Sequence, residues 1–190
     1  MSPETERQFS LFLLTQMRAE RLVSHALDRL VATREEMSFA AASVERSGIF
    51  VPGHPLTLYQ DWLGEAHAVE LLGADVGDEF SGSRRHRFRL QLWPQADFTV
   101  CEHPHGWSFN LGFVRANEHP APRWEYAADL APWYFVIDDM RGRFGPGRLV
   151  DGWAQSQDIV YDLIPGAHLP RRPHLLQFDF GLLQACWPIP

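Results

Sequence analysis

The sequence predicts an α+β domain in which N-terminal amphipathic helices pack on a mainly antiparallel, meander-type β-sheet of about six to seven strands. Two observations carry this. Apolar residues recur at three- and four-residue spacing through the first 48 positions, and from residue 84 onward apolar and polar residues alternate in short runs separated by turn residues.

Taken in order, Ser2-Pro3-Glu4 is a helix start, with a capping hydroxyl, Pro at the first helical position and a carboxylate near the positive end of the helix dipole. Phe9, Phe12, Leu13, Leu22, Val23, Ala26, Leu27, Leu30 and Val31 then describe one amphipathic helix of about thirty residues. Thr33-Arg34-Glu35-Glu36 fits a capping box, so a second helix begins there, turns Met37, Ala40, Ala41 and Val44 inward and stops at Gly48. Val51 to Pro55 reads as a turn or linker and Leu56 to Leu63 as a short helix. His67 to Leu72 fits strand or helix, and Gly73 to Ser83 a loop.

The central stretch, residues 84–115, reads as three antiparallel strands. His86, Phe88, Leu90 and Leu92 fall on one side, Arg87, Arg89, Gln91 and Trp93 on the other, the period-2 pattern of a half-buried strand. Phe98 and Val100 alternate with Asp97, Thr99 and Cys101, and Trp107, Phe109, Leu111 and Phe113 share a face. Trp93-Pro94-Gln95-Ala96 and His103-Pro104-His105-Gly106 place Pro at the second turn position, where its fixed φ suits a tight turn. One face of this meander is expected to be core and the other polar or lightly covered. Beyond it, Ala116 to Pro132 is irregular with one helical turn at 124–129. Trp133 to Asp138, Gln157 to Ile164 and His174 to Phe180 read as strands, Asp139 to Arg148 as a flexible connection, and the tail from Cys186 as irregular.

Residues 1–190 thus read as one domain, with a helical segment at 1–48, a mixed connection at 49–83 and a β-rich body at 84–190. A formal charge of −7 argues against nucleic acid as a partner, even though Arg84, Arg85, Arg87 and Arg89 form a basic run. All 17 basic residues are Arg. The run Phe9 to Leu14 is too short to span a membrane. Two cysteines, Cys101 and Cys186, make no disulfide framework, so a cytoplasmic setting is expected.

Chemistry has one candidate. Cys101, His103 and His105 stand at alternate positions, and a His-x-His pair on a strand can hold a divalent transition metal. Residues two apart on a strand lie about 6.6 Å apart and those four apart about 13 Å, so all three ligate only if the backbone bends at Pro104. A third or fourth ligand would come from His168, His119 or His174. No spacing supports a nucleophile with its base and oxyanion donor.

The reading that follows is a non-catalytic protein–protein interaction module, an adaptor, inhibitor or immunity-type antagonist with no resident cofactor and no membrane partner. Its binding residues are expected among Trp124, Trp153, Arg87 and Arg89, the tryptophans because loop aromatics anchor partners. The alternative is a metal-dependent enzyme centred on His103 and His105. A third option is a β domain enclosing a small ligand.

Overall fold

The computed structural model describes residues 2–49, 53–73, 80–153 and 155–189, with Trp153 described in its backbone only. Residues 51 and 52 of the expected linker and residues 74–79 of the expected loop at 73–83 lie outside the described residues. The chain forms two compact units, Met1–Leu111 and Gly112–Pro190.

The first unit carries four helices and a four-stranded antiparallel sheet. Helix α1 (Pro3–Thr15) begins as expected, with the Ser2 hydroxyl accepting from the Thr5 N–H at 3.1 Å. It does not continue for thirty residues. Thr15 Oγ1 donates back to the Phe12 carbonyl, and the Gln16 and Met17 N–H groups take the Leu13 and Leu14 carbonyls, which tightens and closes the last turn. A separate helix α2 (Glu20–Arg29) follows. The break lets Phe9, Leu11, Phe12, Leu13 and Leu14 all be buried, so α1 is hydrophobic nearly all round over this stretch and lies inside the helical layer. Helix α3 (Arg34–Ser47) has the reciprocal capping box of Thr33 and Glu36, buries Met37, Ala40 and Val44, leaves Ala41 half-buried, and ends at Gly48 with φ +73°. Helix α4 is Leu56–Leu63.

Strands β1 (Ala68–Leu71), β2 (Arg84–Arg89), β3 (Ala96–Glu102) and β4 (Ser108–Arg115) pair in sequence order, and β4 crosses the division between the units. Both expected tight turns are present, closed by Ala96 N–H to Trp93 O at 3.0 Å and Gly106 N–H to His103 O at 2.8 Å. Phe9 meets Phe98 edge-on at 5.3 Å, which seats α1 on the apolar face of β3. The opposite face is not lightly covered: Asp97, Thr99 and Cys101 are buried too.

The second unit holds β5 (Arg148–Trp153), β6 (Ser156–Leu163), β7 (Arg172–Asp179) and β8 (Leu182–Pro188), again antiparallel and in sequence order. A single meander of six to seven strands is therefore replaced, among the described residues, by eight strands in two sheets. Three expectations change with it. Trp133 to Asp138 is not a strand: Val136 makes one isolated bridge to Leu182, and helix α5 (Ile137–Phe144) starts at once because the Asp139 carboxylate accepts from the Val136 N–H at 2.9 Å. The basic glycine-rich connection is that helix followed by β5. The tail is strand β8, joined to β7 by Phe180-Gly181, both at positive φ (48° and 77°), the geometry of a tight hairpin turn. Pro188 is tolerated because it lies at the end of an edge strand, away from the bridge that Val136 makes to Leu182 at the strand's start. A core of Phe135, Ile137, Met140, Ile159, Leu163, Leu176, Phe178 and Leu183 joins α5 to this sheet.

A methyl group at Gly181 would stand 2.9 Å from the Phe113 carbonyl oxygen, on a backbone already in the left-handed region. Gly181→Ala is expected to cost at least about 1–2 kcal/mol, read as a lowered urea midpoint. A midpoint equal to wild type would show that the hairpin shifts freely.

Candidate functional site

Two features of the first unit stand out, a buried charged cluster on the sheet and an open groove on the helices. The cluster follows from register. Arg85 pairs with Cys101, Arg87 with Thr99 and Arg89 with Asp97, while Ala68 faces Arg87 and Glu70 faces Arg85. Side chains of paired residues share a face, so β1, β2 and β3 bring Glu70, Arg85, Arg87, Arg89 and Asp97 to one side of the sheet. Asp97 is 0% exposed and takes Arg87 Nη1 at 3.3 Å, Arg89 Nε at 3.1 Å and His67 Nε2 at 3.1 Å. Arg87 also reaches Glu70 at 2.7 Å through Nε. A carboxylate removed from water is expensive unless donors surround it, and here two guanidiniums and an imidazole do.

This places the two arginines expected from the sequence. Arg87 is buried and internally paired; Arg89, from the same cluster, keeps its guanidinium partly in solvent. Cys101 is buried beside Arg85. Burial pushes its thiol up, the guanidinium pulling the other way, and burial raises Cys186 to about 11. His103 Nδ1 accepts from the His105 backbone N–H at 3.2 Å, and its ring stacks on Trp107 at 4.4 Å. His105 is exposed in the turn, His119 and His168 are exposed in the second unit, and His174 is buried with Nδ1 against the Arg172 carbonyl at 2.9 Å. Among the described residues no three His, Cys, Asp or Glu side chains come together to hold a metal ion. The extended spacing that made three consecutive ligands difficult persists to Glu102, where β3 ends.

Trp124 is not an open anchor. It is half-buried against the second unit's core, edge-on to Phe135 at 6.3 Å, with the Arg143 guanidinium 4.4 Å from its ring centre and donating to its carbonyl. Trp153 ends β5, and its side chain lies outside the described residues.

The groove was not anticipated. Glu4, Gln8 and Leu11 follow one another at helical spacing on α1, and Glu35, Glu36, Phe39 and Ala40 do so on α3; together with Arg7 they line a trough of about 400 Å³. Leu11 and Ala40 are buried at its base, and Phe39 stands 67% exposed. Arg7 is bound to the Leu30 and Val31 carbonyls and to Glu36 at 3.0 Å. The Thr33 N–H, then Arg7, hold the Glu36 carboxyl below its ordinary range. Arg7 pairs with both Glu36 and Glu4, and three carboxylates, Glu4, Glu35 and Glu36, against that one guanidinium give the rim its negative sign. The sequence signal for this site was Phe39 itself, an aromatic off the Met37/Ala40/Val44 stripe.

Comparison with protein-family models, with curated proteins and with solved structures gives no match.

Removing the carboxylate of Asp97 would take from the buried Arg87 one of the carboxylates that balance its charge. Asp97→Ala is expected to cost about 3–5 kcal/mol, measured by chemical denaturation; a loss below about 1 kcal/mol would show the cluster to be unimportant for stability. Both thiols, raised above the ordinary value, should react slowly with a disulfide reagent at pH 8 in the native protein and completely in guanidinium. Rapid native titration of two thiols would contradict the burial of Cys101.

Proposed function

We propose that this chain is a non-catalytic binding module that docks a basic, amphipathic segment of another protein in the groove between α1 and α3. The observation that carries the reading is Phe39, a large apolar side chain held in water at the edge of a trough with an acidic rim. Its place suits the helix-in-groove mode of recognition, where an apolar stripe fills the trough and flanking charges set orientation. Carboxylates at the rim favour cationic partners and speed their approach, in keeping with a formal charge of −7. Two free cysteines fit a reducing, cytoplasmic setting.

A fluorescent amphipathic peptide of Leu and Lys, titrated with the full chain and followed by anisotropy, tests this. Binding should weaken at least about ten-fold, or 1.4 kcal/mol, in Phe39→Ala. It should also weaken in Glu35→Lys and fall with added salt. Both positions are exposed, so the variants keep the fold. Equal affinity for wild type and Phe39→Ala, or equal affinity for a Leu and Glu peptide, would overturn the proposal.

A further inference from the structure

A second site lies in the same unit, on different residues. An open cleft of about 770 Å³ runs between α4 and the ends of the sheet strands. Its helical wall carries Thr57, Gln60 and Asp61, at the i, i+3, i+4 spacing that puts a hydroxyl, an amide and a carboxylate on one face. Glu65 follows just past the helix. The facing wall carries His67 and Arg89.

Those last two are not ordinary surface side chains. Each is tied to the fully buried Asp97, His67 through Nε2 at 3.1 Å and Arg89 through Nε at 3.1 Å, while 38% of the one side chain and 41% of the other remains exposed. One imidazole and one guanidinium are thus fixed in orientation from beneath, and each shows its exposed part to the cleft. A ligand meeting them pays little ordering entropy on the protein's side. The opposite wall is acidic.

We propose that this cleft binds a small zwitterion, its carboxylate or phosphate against His67 and Arg89 and its protonated amine against Asp61 and Glu65. Charge separation across the cleft selects for both ends at once. An anion alone meets one favourable wall and one repulsive wall, and so does an amine alone.

The test uses the full chain and isothermal titration calorimetry with phosphoethanolamine and 4-aminobutyrate as zwitterions. Phosphate, butyrate and butylamine are the single-charge controls. At least one zwitterion should bind with Kd below about 1 mM and at least about ten-fold more tightly than its controls. Asp61→Asn, at an exposed helical position, should reduce that affinity several-fold, and Arg89→Gln should abolish it. Because Arg89 also pairs with Asp97, Asp61→Asn is the deciding variant should Arg89→Gln fail to fold. Phe39→Ala should leave zwitterion binding unchanged, so failure here and failure of the peptide reading are distinguishable. No binding by either zwitterion, control anions binding as tightly as the zwitterions, or full affinity in Asp61→Asn would each overturn the proposal.

Discussion

The first unit depends on the burial of one carboxylate. Asp97 is fully enclosed and accepts from two arginines and a histidine, and that requirement sets how β1, β2 and β3 align. With Arg89 directly opposite Asp97 and Arg87 two residues along, both guanidiniums reach the carboxylate from one strand. A slip of one residue would carry Asp97 to the face where Phe98 meets Phe9, with no donor to receive it. The charged cluster therefore gives this small sheet a specific register, which an all-apolar pair of faces would define less sharply. It also holds His67 and Arg89 in fixed orientations at the cleft.

The helical layer solves a different problem. Helix α1 is buried on most sides over Phe9 to Leu14, with α3 and α4 packed around it, and the groove lies between α1 and α3. Arg7 ties that groove to the rest of the layer. Its guanidinium is bound by the end of α2 through the Leu30 and Val31 carbonyls and by Glu36, so it closes a helix end while offsetting only part of the rim's charge.

Local signals were legible where the chemistry is local. The Ser2 and Thr33 caps, the Gly48 stop and the two proline turns of the meander each act within four residues, and each is present. Signals that depend on partners distant in sequence were not. Trp133 to Asp138 has strand-forming composition, yet Asp139 caps a helix there. The terminal strand reads as irregular because Pro188 is acceptable only on an edge, and edge status is a property of the sheet. The division after Leu111 falls inside β4, where composition carries no linker signal. Of the residues singled out for function, Arg89 lies on a cleft wall, Arg87 is consumed by the fold, and His103 is engaged by its own turn and by Trp107.

The sequence by itself determined the class, helices followed by antiparallel strands, because hydrophobic periodicity and capping chemistry are written in neighbouring residues. It determined which face of β2 would carry arginines. Only the tertiary structure decided that this face would be buried around Asp97, that the strands would divide into two sheets, and that Phe39 would border a groove. Those outcomes depend on which distant surfaces meet, and the energy of a buried charge or an exposed ring is defined only once they have met.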